Sequence, residues 1–118
     1  MQRRLLNTAL LISACIGAAV PQTAVQARLD EYRMQIDGVD QRIVELLNKR
    51  AAIVQRIGSV KKEAGLAVAA PAREQQVLDR AVEAGKAGPL PSATVRRIYE
   101  AILLEMRTWE ATGNTERQ

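Results

Sequence analysis

From Leu29 to Val60 the apolar residues recur by threes and fours: Leu29, Tyr32, Ile36, Val39, Ile43, Leu46, Ile53, Ile57 and Val60. This is the heptad form of helical periodicity, and it predicts one long amphipathic helix starting at Arg28 or Leu29. The helix should end near Ala64, because Gly65 suits the left-handed residue that follows a helix and Lys61 and Lys62 suit its negative end. One position breaks the stripe. Four residues after Leu46 and three before Ile53 stands Arg50, so a guanidinium occupies a core-facing register. Burying it is costly unless an anion meets it.

After a short linker, Leu66 to Ala70, Pro71 fits the first turn of a second helix with Val77, Leu78, Ala81 and Val82 on one face. Gly85 and Gly88 close it, and Pro89 and Pro91 keep the connection extended. Ser92 is expected to be the N-cap of a third helix whose stripe is Val95, Tyr99, Ile102, Met106 and either Trp109 or Glu110. Residues 113–118 read as a disordered tail. No stretch alternates with the period of a strand, so the fold class is all-α, with one long helix and two shorter ones. At 1.5 Å per residue the first helix is about 50 Å long, and two helices of about half that length cannot cover its stripe. An antiparallel homodimer about the long helices is the simplest remedy.

Two further cations share this geometry. Arg33 and Lys61 are four heptads apart and each directly follows a stripe residue, which places both at one edge of the same face. Lys61 lies roughly 16 Å along the axis from Arg50, within reach of a shared small ligand, whereas Arg33 lies about 26 Å from Arg50. Arg33 therefore joins such a site only from a second copy of the chain.

Composition narrows the chemistry. The chain of 118 residues is 47% hydrophobic and 25% charged, which suits a single globular domain, and two Tyr, one Trp and no Phe mean an aliphatic core. It opens with MQRR, an apolar run and a small-x-small site at Val25-Gln26-Ala27, the pattern of a secretory signal peptide cleaved after Ala27. Residues 1–27 are thus expected to be a signal, residues 28–112 the helical domain, and the location periplasmic or secreted, with no membrane attachment after cleavage. An uncleaved anchor and a lipoprotein processed before Cys15 are the alternatives. Cys15 is the only cysteine and there is no histidine, so a chain beginning at Arg28 has no disulfide, no thiol chemistry, no His-based triad and no His metal ligand. From Arg28 onward 15 basic residues face 13 acidic ones, a balance that gives no support to a nucleic-acid partner.

Taken together these residues resemble the all-helical, type II chorismate mutase family. Its pattern of an Arg, a second Arg seventeen residues on and a Lys eleven further is met by Arg33, Arg50 and Lys61. I-D-x-x-D appears at Ile36 to Asp40, E-L-L-N-x-R at Glu45 to Arg50, and P-x-R-E at Pro71 to Glu74. The resemblance covers Leu29 to Glu110. It implies an interlocked homodimer that converts chorismate to prephenate, an intramolecular Claisen rearrangement needing no cofactor and no metal. Arg50 and the partner chain's copy of Arg33 would clamp the substrate's two carboxylates, and Lys61 would donate to the ether oxygen as the C–O bond breaks. Glu74 matches the residue that accepts the ring hydroxyl, and Arg73 a further cationic contact.

The chain departs from the family pattern at three positions. Ala70 stands where Asp is common, leaving only its backbone N–H for the substrate. Met106 stands in place of a hydroxyl-bearing residue. Glu110 replaces a Gln that donates to the ether oxygen, and must carry a proton to do the same. Each site residue also has a plainer reading. Arg50 could bridge to Glu45 or Glu110, Arg33 and Lys61 could be solvated, Glu74 could serve the helix dipole, Glu110 could lie at a frayed end, and Met106 could be core alone. A lyase forming salicylate and pyruvate from isochorismate on the same fold, and a non-catalytic helical adaptor, are the rival functions.

Overall fold

The structure is a computed structural model that describes residues 17, 19 and 21–112. Among the described residues three helices follow one another: α1, Gln22–Glu63; α2, Pro71–Gly85; and α3, Ser92–Thr112. No strand occurs among the described residues, as the all-α expectation required. Apart from residues 17 and 19, the apolar run of the expected signal lies outside the described residues, as do Cys15 and the expected tail.

Helix α1 begins at Gln22, six residues before the expected Arg28. Nothing between Thr23 and Ala27 breaks a helix, and Pro21 provides the start: its carbonyl accepts the N–H groups of Ala24 and Val25 at 2.9 and 3.1 Å. The Gln26 side chain donates to Asp30 Oδ1 at 2.9 Å, tying this first stretch to the periodic one. Cleavage after Ala27 would therefore fall inside a helix. The other end conforms to expectation. Gly65 adopts φ +66°, its N–H bonds to the Lys62 carbonyl, and the Leu66 N–H bonds to the Lys61 carbonyl. This paired arrangement is the Schellman stop, and it needs a residue free of the Cβ clash.

Helix α3 starts as α1 does. The Pro91 carbonyl accepts from Thr94 and Val95, so Pro91 is the flanking residue and Ser92 the first helical one, not the N-cap. Proline's fixed φ makes it an adequate lead-in without a side-chain cap. Helix α2 has Pro71 in its first turn and no side-chain cap at Ala70.

The chain divides into two compact units, one ending at Val39 and the other beginning at Asp40. In the second, α2 and α3 pack together with the C-terminal part of α1. The core is small and aliphatic: Val54 of α1, Leu78 and Ala81 of α2, Val95 and Leu103 of α3. Helices α2 and α3 approach so closely at one end that a Cβ on Gly85 would lie 2.8 Å from Val95 Cγ2. The most buried positions of α1 are not those of the heptad stripe. Val54 and Gly58 are its buried residues, whereas all nine stripe residues are exposed, from 44% at Leu29 to 65% at Leu46. None of the nine is buried by the described residues.

Candidate active site

A cavity of about 300 Å³ opens within the second unit between all three helices. Helix α1 lines it with Arg50, Ile53, Val54, Ile57 and Lys61, spaced so that they share one face. Its floor and walls come from Val77 on α2 and Leu103 and Met106 on α3, and its polar groups are Arg50, Lys61, Arg73, Glu74, Arg107 and Glu110. Val68 and Ala70 of the α1–α2 loop complete it.

Lys61 is the most tightly held of the cations. Its Nζ donates to the Val68 carbonyl at 2.6 Å and to Glu110 Oε1 at 2.9 Å. An ammonium has three N–H groups, so one remains for a ligand. The Lys61 side chain is 19% exposed and that of Glu110 only 8%. Glu110 is thus not at a frayed end: of the ambiguous pair on α3, it turns inward, and Trp109 stays partly in solvent. Gly58 makes room for it. A Cβ at that position would stand 3.1 Å from Glu110 Cγ.

On the opposite wall Arg107 Nη1 lies 3.2 Å from Glu74 Oε2. Glu74 sits in the first turn of α2, where its backbone N–H bonds to the Ala70 carbonyl. Arg50 is half-buried and forms no ion pair among the described residues. The acids that its plainer reading required are engaged elsewhere, Glu45 with Gln41 and Glu110 with Lys61. Arg73 makes one long hydrogen bond, to Gln76 at 3.4 Å.

Of the eight residues singled out in the sequence, Arg50, Lys61, Ala70, Arg73, Glu74, Met106 and Glu110 line this cavity. Arg33 belongs to the first unit, where it is exposed and pairs with Asp30 at 2.9 Å. Two residues were missed. Arg107 carried a legible signal, since it follows Leu103 by four and precedes Glu110 by three on one helical face. Gly58 did too, because glycine inside a long helix costs about 1 kcal/mol relative to Ala and calls for a packing reason.

Four cations against two carboxylates, in a setting otherwise apolar, make a receptor for a small dianion. The lining contains no Ser, Cys or His nucleophile, and no cluster of metal-ligating side chains occurs among the described residues. Such a site can bind, compress and stabilise charge.

Comparison with known proteins decides the lineage. Residues 32–111 match the family model for chorismate mutase type II. The chain belongs to the chorismate mutase type II family. It is similar to a bifunctional chorismate mutase/prephenate dehydratase of Aquifex aeolicus, 35% identical over 78 residues, covering 64% of this chain and 22% of that protein. A T-protein of Haemophilus influenzae is 41% identical over 61 residues, 51% of this chain and 16% of the relative. The chain thus spans about a fifth of the length of these two relatives. Among solved structures, a form II chorismate mutase from Thermus thermophilus superposes with a TM-score of 0.67 at 33% identity, covering 77% of this chain and 97% of that one. The type II match takes in every residue that lines the cavity.

Proposed function

We propose that this protein is a chorismate mutase, an isomerase that converts chorismate to prephenate in the biosynthesis of aromatic amino acids. The observation that carries the proposal is the cavity itself: a type II mutase chain with Arg50, Lys61 and Arg73 converging on one space of about 300 Å³. In the rearrangement one C–O bond breaks as one C–C bond forms within the same molecule, so no proton, electron or co-reactant is needed. The enzyme's contribution is to hold the compact conformer and to stabilise negative charge on the departing ether oxygen.

Arg50 takes one carboxylate and Arg33 of a second copy takes the other. Arg73 adds a further cationic contact, and the Ala70 backbone N–H a polar one, while Met106 contributes only apolar surface. The third N–H of Lys61 meets the ether oxygen. Glu110 works beside it by aiming that ammonium, with Oε1 accepting from Lys61 Nζ. Glu74 accepts the ring hydroxyl. The working form is a homodimer, supported by the nine exposed stripe residues of α1 and by the sequence distance of Arg33 from the cavity residues on the same helix, about 26 Å of helix axis from Arg50. The pattern of residues 1–27 supports export to the periplasm or beyond. N-terminal sequencing of the protein recovered from outside the cytoplasm should give Arg28, and a lipidated Cys15 or an intact Met1 would overturn that part.

The test of the activity is direct. Purified chain from Arg28 onward should consume chorismate, followed by its ultraviolet absorbance, and yield prephenate. Chorismate left untouched, or salicylate formed from isochorismate in a parallel reaction, would overturn the proposal.

A further inference from the structure

We infer that Arg107 is a positioning residue, which fixes the Glu74 carboxylate for the hydroxyl of the substrate and thereby sets how strongly that hydroxyl is recognised. The inference rests on the mutase reading above and assigns a role to a residue outside its cation set.

The geometry is specific. Arg107 reaches from α3 to Glu74 at the start of α2 with a single contact, Nη1 to Oε2 at 3.2 Å. No side-chain partner other than Arg107 occurs for Glu74 among the described residues, and Oε1 keeps its acceptor capacity. Glu74 is only 22% exposed, and Arg107, at 41%, spans from the cavity wall toward solvent. A carboxylate in a cavity rich in cations has competing attractions. Arg50 and Arg73 line the same space, and either could draw an untethered Glu74 off its line. By engaging one oxygen, Arg107 leaves the other as the acceptor, and a carboxylate aimed at a hydroxyl discriminates strongly against a molecule that lacks one. The neighbouring Met106 has no hydrogen-bond donor, so on this stretch of α3 the polar work falls to Arg107 and Glu110.

A positioning residue acts through its partner, and that makes the test decisive. Arg107→Met should lower kcat/KM for chorismate by about tenfold with an unchanged circular-dichroism spectrum, and Arg107→Lys should restore part of the loss. In a Glu74→Gln background, adding Arg107→Met should cost less than about twofold, since the two act as one unit. With a chorismate analogue in which the ring hydroxyl is replaced by hydrogen, the Arg107→Met and native enzymes should turn over alike. Losses that multiply, or an equal loss on the deoxy analogue, would show that Arg107 touches the substrate itself or only supports the fold, and would overturn the inference while leaving the mutase reading intact. A native enzyme inactive on chorismate would overturn both.

Discussion

In the proposed reaction Glu110 stands beside the departing ether oxygen, with its Oε1 accepting from Lys61 Nζ at 2.9 Å. It thereby aims the ammonium that meets the growing negative charge. Glu110→Gln keeps an oxygen acceptor for Lys61 and adds an N–H donor, so it should retain turnover of chorismate. Glu110→Ala keeps neither and should lower kcat by about tenfold. An Ala variant as fast as the native enzyme, followed by the loss of chorismate absorbance, would place Glu110 outside the reacting centre. The role of its neighbour across the helix interface is purely spatial. Gly58 lets Glu110 Cγ come where a Cβ would stand 3.1 Å away, and it explains why a glycine interrupts an otherwise strong helical sequence.

At the scale of the element, the chain's helices were legible because their periodicity, prolines and glycines agree. The start of α1 was not, because periodicity marks where a helix becomes amphipathic and is silent on the short stretch Thr23 to Ala27 that precedes it. Nor was the rotation of α1. Heptad counting selected Ile53 and Ile57, but the residues buried against α2 and α3 are Val54 and Gly58. The stripe is the wider apolar face, and sequence alone does not say which neighbour takes which part of it. In the site, the cations were legible through their spacing with Arg50, whereas the Arg107–Glu74 pair joins residues 33 apart on two helices and depends on tertiary packing that no local pattern encodes. The contact of α2 with α3 can be tested at its narrowest point. Gly85→Ala would set a methyl 2.8 Å from Val95 Cγ2, and valine is stiff about χ1. The substitution should cost about 1–3 kcal/mol despite the gain in helix propensity, read as a lower midpoint in urea. An unchanged or higher midpoint would mean that the two helices separate freely there.

For the whole molecule the question is what completes it. If Arg33 serves the site of a second copy, then Arg33→Ala and Arg50→Ala chains, each inactive alone, should regain activity when unfolded and refolded together, because a mixed dimer carries one site with both arginines. About a quarter of native activity is expected from random pairing, since half of the dimers are mixed and each holds one intact site. No recovery, or a folded and active monomer by analytical ultracentrifugation at micromolar concentration, would return every site to a single chain. The exposed apolar face of α1 has one more consequence, which lies in mass action. If the working form is the proposed dimer, a core of five aliphatic side chains among the described residues leaves the association to supply much of the free energy of folding, so the chain's stability is a property of how much of it is present. Each tenfold dilution should remove about 1.4 kcal/mol per mole of dimer and lower the melting temperature with it. The dilute protein would then lose its fold and its activity in one step.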